Sequence, residues 1–312
     1  MIIDFPNTTT GKISKALVNI REEGGAVALG RVLTLVISTS PGKEEEAISA
    51  ANEASREHPM RVIVLSIPDE STNITNRLDG EVRVGGDAGA SEVIILRAYG
   101  ETGSDELGLV TGLLLPDAPV VVWWPASTPA EVNASALVEI AQRRITDSAS
   151  QGDQLEFLTA LAAAYMPGDS DFAWTRLTPW RQQLASVLDL PPFEPIEAAE
   201  VQAAETSLSA RLLAAWLSLS LDIRVVFTSV PDRPEVGAIQ RVTLTRASGN
   251  IVLERTDGSQ ARLTQPGQPV HEVTLVRRNL RDCLSEELRH LDPDEVFGTV
   301  IRDGLLRVDE TR

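Results

Sequence analysis

Cysteine is nearly absent from this 312-residue chain, with Cys283 standing alone. No internal disulfide can form. A structural zinc site needs several Cys or His ligands, and His58, His271 and His290 lie far apart in sequence. Basic residues are scarce as well: 28 Lys and Arg stand against 45 Asp and Glu, a formal net charge of −17. Such a chain repels phosphate backbones and anionic membranes unless it carries a dense local basic patch. The nearest candidate, Arg277–Arg278 with Arg281, is soon followed by Glu286 and Glu287. Neither nucleic acid nor a membrane is therefore expected as a partner. No apolar run approaches the roughly 18 residues of a membrane-crossing helix. The opening MIIDFPNTTTGK also lacks the charged start and apolar stretch of a secretion signal. A soluble, cytoplasmic protein is the expectation.

Hydrophobic residues at 43% and charged residues at 23% are ordinary for a globular chain, so a core can form, and the length suits about two domains. The first half alternates strand-like and helix-like runs. Ile13 to Glu23 reads as a helix closed by Gly24–Gly25, and Val32 to Ile37 as a strand covered on both faces. Ser40–Pro41 is expected to open a helix, with Glu44, Glu45 and Glu46 solvated in its first turn. Its inner face (Ala47, Ala50, Ala51, Ala54) is small enough to lie close on a sheet. Strands follow at 61–67, 78–84, 90–99 and 120–124, with a helix at 105–115. The 78–84 run alternates, as an edge or half-exposed strand would. Thr128-Pro129-Ala130-Glu131 is a capping box, predicting a helix to about Arg144.

Residues 151–192 read as helical, ending at Pro191–Pro192. Beyond them the texture changes. An extended segment at 194–204 and an amphipathic helix at 209–220, with Trp216 in its core face, precede strand-like runs at 224–227, 241–245, 250–255, 260–263 and 272–276. Consecutive strands of this kind form an antiparallel meander. Helices at 281–290 and 294–302 close the chain. The expected architecture is an α/β domain over 1–150, mostly a parallel sheet with flanking helices. A helical connecting segment follows over 151–192, then a smaller α+β domain with an antiparallel meander over 193–312.

Motifs for chemistry are weak. Gly100-Glu-Thr-Gly-Ser-Asp-Glu106 follows a strand and precedes a helix, a place where phosphates bind in many α/β proteins. It matches neither dinucleotide nor P-loop spacing, and Asp105 and Glu106 would repel an anion at the helix start, so a capped turn is the better reading. The Gly85–Gly89 loop reads as a connection. There is no G-x-S-x-G elbow. Cys283 and His290, two helical turns apart, are too distant for a catalytic pair on one helix. Glu286–Glu287 reads as a solvated face. No catalytic residue, metal ligand or cofactor is assigned.

Aromatics make up only 4% of the chain, yet five of the thirteen are Trp. Trp123 and Trp124 end a strand, so one can join the core while the other faces a helix, a second domain or a partner. Residues 171–181, DFAWTRLTPWR, gather Phe172, Trp174, Arg176, Trp180 and Arg181 around a helix start. Trp and Arg dominate interface hot spots. Domain–domain packing and a partner surface both fit that segment.

Several stretches together resemble the actinobacterial OpcA family of glucose-6-phosphate dehydrogenase assembly proteins. They are DFPNTTT (4–10), LVNIREEGGAVALGRVLTLVI (17–37), ANEASREHPMRVIVL (51–65), GASEVIILRAYGE (89–101), LLLPDAPVVVWWP (113–125) and DFAWTRLTPWRQQL (171–184). The C-terminal third resembles the family more loosely. The resemblance implies an accessory protein of the oxidative pentose phosphate pathway, serving assembly or allosteric activation of the enzyme that makes NADPH from glucose 6-phosphate. It implies no catalytic residues and no cofactor. Cyanobacterial relatives are connected to redox control through cysteines, but with Cys283 alone an intramolecular disulfide switch cannot operate here. Interface candidates are Trp123, Trp124, Phe172, Trp174, Arg176, Trp180 and Arg181, with glucose-6-phosphate dehydrogenase as partner. The other reading kept open is a sensor or enzyme that binds a sugar phosphate or nucleotide in the α/β domain.

Overall fold

Three apolar, β-branched runs build the centre of the first sheet. They are β2 (Leu33–Thr39), β3 (Met60–Ser66) and β5 (Glu92–Tyr99), nearly every residue of which is buried. Strands covered on both faces by helices need no alternation, and these show none. In a computed structural model of the protein, the described residues are all except 24–29, 69–74, 86–91, 127–133, 234–237 and 312. They form two units. Unit 1 comprises Met1–Gln151, Gly168–Ser170 and Leu280–Pro293, and unit 2 comprises Gly152–Pro167, Asp171–Asn279 and Asp294–Arg312. Pro191–Pro192 thus lies inside unit 2.

Unit 1 holds an eight-stranded sheet in the order β1-β4-β5-β3-β2-β6-β7-β8. The remaining strands are β1 (Ile2–Phe5), β4 (Arg77–Arg83), β6 (Val120–Trp124), β7 (Arg143–Thr146) and β8 (Asp169–Asp171). The five strands from β5 to β7 run parallel, and β4 and β1 add antiparallel at one side. This is the mostly parallel α/β sheet expected. The alternating 77–83 strand is not an edge, because β1 covers its free side.

The helices are α1 (Thr10–Glu23), α2 (Glu44–Ala54), α3 (Glu106–Thr111) and α8 (Leu280–Arg289). The expected Ser40 cap does not form. Gly42 at φ +85 turns the chain, Lys43 precedes the helix, and Glu44 is buried, accepting from the Gly42 amide at 2.6 Å and the Ser66 hydroxyl at 2.8 Å. A longer side chain closes the turn that Ser40 was expected to close. The predicted capping box at 128–131 lies outside the described residues. Past it the chain is not helical as far as Arg144: a short 3-10 turn (Ala136–Ile140) gives way to β7. β-Branched Ile145 and Thr146 pair with Trp123 and Trp124, and that pairing overrides the helical period.

α8 was expected among the closing helices of the second domain. It packs instead on α2, with Arg281 and Arg289 near Glu53 and Glu57. Cys283 on this helix is buried. Glu287, expected on a solvated face, is buried against Arg143.

Unit 2 carries a mixed seven-stranded sheet, β14-β13-β12-β11-β9-β10-β15. The strands are β9 (Ala198–Ala203), β10 (Val225–Ser229), β11 (Ile239–Arg246), β12 (Gly249–Arg255), β13 (Gln260–Thr264), β14 (His271–Thr274) and β15 (Val308–Thr311). β11 to β14 form the antiparallel meander. β10 does not join it: it runs parallel to β9 and to β15. The crossover between β9 and β10 is α7 (Leu208–Leu221), whose buried Ala210, Ala214 and Ala215 allow close approach. Trp216 on α7 is only half-buried, less so than Leu212, Leu213 and Leu217 around it. The other helices are α4 (Gln154–Ala163), α5 (Phe172–Thr175), α6 (Thr178–Leu188) and α9 (Glu295–Thr299).

Candidate functional site

The 171–181 motif is two short helices joined by one turn. Asp171 caps α5, its carboxylate accepting from the Ala173 amide at 2.8 Å, and Pro179 sits in the first turn of α6. The aromatic side chains point inward: Phe172 is 0%, Trp174 2% and Trp180 3% exposed. Arg176 and Arg181 are half-buried. Phe172, Trp174 and Trp180 are packing residues rather than surface.

Two clusters grow from the motif. In the first, the Trp174 indole donates to Asp294 Oδ2 at 2.8 Å and packs on Phe297 with ring centres 5.7 Å apart. The Arg181 guanidinium stacks on the same indole, 3.7 Å from its centre. Asp294 uses its other oxygen to cap α9, accepting from the Phe297 amide at 2.9 Å.

In the second cluster, the Arg255 guanidinium lies 5.4 Å from the centre of the Trp180 ring. A cavity of about 180 Å³ opens there, and Arg176, Arg255, Arg277 and Arg278 all line it, along with Trp180 and Ser207. Ser207 caps α7, its hydroxyl accepting from the Ala210 amide at 3.2 Å, and Ser209 donates to the Ala173 carbonyl at 2.8 Å. Arg278 donates to the Thr175 carbonyl at 3.3 Å. Arg255 is 7% exposed and donates to the carbonyls of Gly258 (3.0 Å) and Leu275 (2.6 Å).

No carboxylate among the described residues forms an ion pair with Arg255. Burial first, then the nearby charge of Arg277, depresses its pKa to about 10, against a weaker opposing pull from Asp257. Asp257 is engaged elsewhere. Its carboxylate accepts from the Ser259 and Gln260 amides in the β12–β13 turn, and these bonds hold its pKa below the usual value.

Trp123 and Trp124 belong to unit 1 and are both fully buried. Of the neighbours expected for the second Trp, full burial of both fits a covering element of the fold and leaves no face of either open to a partner. In the same unit the Gly100–Ser104 turn leads to Asp105, which caps α3 through the Gly108 amide at 2.9 Å.

The sequence reading missed Arg255 and Ser207 and set aside Arg277–Arg278 because glutamates follow. Glu287 pairs with Arg143. The signal that could have found the cluster was Arg255, which ends a strand whose inward alternation places it in the core.

Comparison with known proteins gives two family matches in sequence order. Residues 51–163 match a family described as glucose-6-phosphate dehydrogenase subunit N-terminal domain, and residues 167–301 match the corresponding C-terminal domain. A Synechocystis sp. protein described as the OxPP cycle protein OpcA is 33% identical over 103 residues. That match takes in 32% of this chain and 22% of the relative, so it spans about a fifth of the relative's length. Among solved structures, one described as an oxidoreductase, from Magnetospirillum magnetotacticum MS-1, is 13% identical with a TM-score of 0.44, covering 89% of this chain and 99% of that one. The myo-inositol 2-dehydrogenase of Lactobacillus plantarum is 8% identical with a TM-score of 0.35, covering 90% and 91%. Likenesses at these scores carry no argument about chemistry.

Proposed function

The chain belongs to the OpcA family, and from that premise we propose that it is a partner of glucose-6-phosphate dehydrogenase, acting in assembly and activation of that enzyme without performing a reaction of its own. The observation that carries this reading is the ordered match of both family domains across residues 51–301.

Activation by a partner needs differential binding, because the chain must hold the active form of the enzyme better than the inactive one. A tenfold gain in the active population takes about 1.4 kcal/mol. The 171–181 motif enters as a framework for that surface. Phe172, Trp174 and Trp180 are locked in place, and they fix where half-buried Arg176 and Arg181 stand. Trp123 and Trp124 play the same internal part in unit 1. With a net charge of −17, docking to a basic partner face would weaken as salt rises.

The test is to measure dehydrogenase rate and native mass with and without an equimolar amount of this chain. A faster rate together with a shared peak on size exclusion is expected. Separate peaks with unchanged rate would reject the reading, as would turnover of glucose 6-phosphate by the isolated chain.

A further inference from the structure

We propose that a second cavity of unit 2, between α4 and the segment that follows α9, binds an amphipathic carboxylate, a medium-length alkyl chain ending in one acid group, and that Arg302 holds the acid. This rests on unit 2 alone and not on the dehydrogenase partnership.

Backbone geometry sets the walls. Directly after α9 the chain makes a single π-turn, Val300–Gly304, and then a short 3-10 turn, Leu305–Arg307. π-Turns are rare and occur frequently at functional sites. This one is pressed onto α7: a Cβ on Gly304 would stand 2.9 Å from Leu219 and 3.1 Å from Ala215. Ile301, Arg302 and Leu305 from these turns line a cavity of about 380 Å³ together with Leu155, Ala162 and Ala163 of α4.

The lining decides the class of ligand. Seven of its ten residues are apolar and none is acidic. Leu155 and Leu306 among them are exposed, so apolar surface stands in water that an alkyl chain would cover. The polar side chains are few. Thr159 donates its hydroxyl to the Leu155 carbonyl at 2.8 Å. Arg211 is engaged with the Phe227 ring and the Glu205 carbonyl. Arg302 gives its Nε to the Gly298 carbonyl at 2.8 Å and lies 5.3 Å from the centre of the Tyr165 ring. Among the described residues no carboxylate pairs with Arg302, and its two terminal nitrogens keep their donors. Two donors on one guanidinium edge match the two oxygens of a carboxylate.

Size sets the chain length. At about 30 Å³ for each non-hydrogen atom, the share of a water molecule, the cavity takes about a dozen. A carboxylate of about eight to ten carbons meets that number. One guanidinium balances one charge, so a carboxylate suits the site better than a phosphate carrying nearly two.

The test is titration calorimetry of the full chain at constant ionic strength, with each amphiphile kept below its aggregation threshold. The probes are octanoate, octanol, octyltrimethylammonium and acetate. Saturable binding of one octanoate per chain is expected, about tenfold tighter than octanol, with no binding of acetate. Arg302→Gln, at an exposed position, should bring octanoate down to the level of octanol and leave octanol itself unchanged. Ala163→Phe, also at an exposed position, puts a ring into the cavity and should weaken both about tenfold or more. The proposal is overturned if octanoate shows no saturable binding up to about 1 mM. It is equally overturned if octyltrimethylammonium binds as tightly as octanoate, or if either folded variant binds octanoate as the wild type does.

Discussion

Arg143 and Glu287 meet in a buried ion pair although 144 residues separate them in sequence. Nε and Nη2 of the arginine both donate to one carboxylate oxygen, at 2.8 and 2.5 Å. A third donor, Nη1, reaches the Asp292 carbonyl at 2.8 Å. Arg143→Leu would leave Glu287 buried without its partner, and a loss of about 3–5 kcal/mol is expected. Replacing both by Leu should cost clearly less. Urea unfolding of the two variants checks this. A single-variant loss below about 1 kcal/mol, the value of an exposed pair, would mean that the contact does not hold α8 to the sheet.

Asp294 serves two neighbours at once, capping α9 and accepting from the Trp174 indole. Asp294→Ala removes both bonds, each worth about 1 kcal/mol, so a loss of about 2 kcal/mol is expected. Asp294→Asn keeps a capping oxygen and should retain about half of that. Thermal unfolding followed by Trp fluorescence reads the difference. Equal stability of both variants and the wild type would remove Asp294 from the account of how the motif is held.

Glu45 gives a dependence on pH. The hydrogen bond from Arg83 lowers its pKa below the ordinary value of 4.5, partly offset by burial. A depressed carboxylate contributes stability that is fully present above its unfolded pKa and is lost as pH falls through its folded one. The carboxylate is largely exposed, so its share is under about 1 kcal/mol. Glu45→Gln should therefore be slightly less stable than the wild type near neutral pH, and the gap should close as the solution is acidified below about pH 4.5. A gap that persists undiminished to pH 3 would contradict the assignment.

Much of the fold was legible because it rests on local signals. The largely apolar, β-branched runs at 32–37 and 61–67 announced strands, found at 33–39 and 60–66, and Ser248-Gly249 and Asp257-Gly258 marked the turns of the meander. Long-range pairing was not legible. Nothing near Arg143 in sequence says that its strand will be completed by Trp123–Trp124 and anchored by Glu287. Nothing near Val225 says that it will lie beside Ala199 rather than the next strand along.

The candidate site was half visible. Trp and Arg density drew attention to 171–181, but density alone does not say which way a side chain points. The arginines that complete the cavity come from three separate stretches of chain, and only the folded sheet assembles them.

The path of the chain through the two units has a consequence for how the protein is made. The ribosome releases β1 to β7 first, then a long stretch that belongs mostly to unit 2, and only afterwards α8. Until that helix emerges, the nascent sheet lacks the cover it has over α2, so the part synthesised first is among the last to be finished. A premature stop just before Leu280 would for the same reason injure the front of the molecule, not merely shorten its tail.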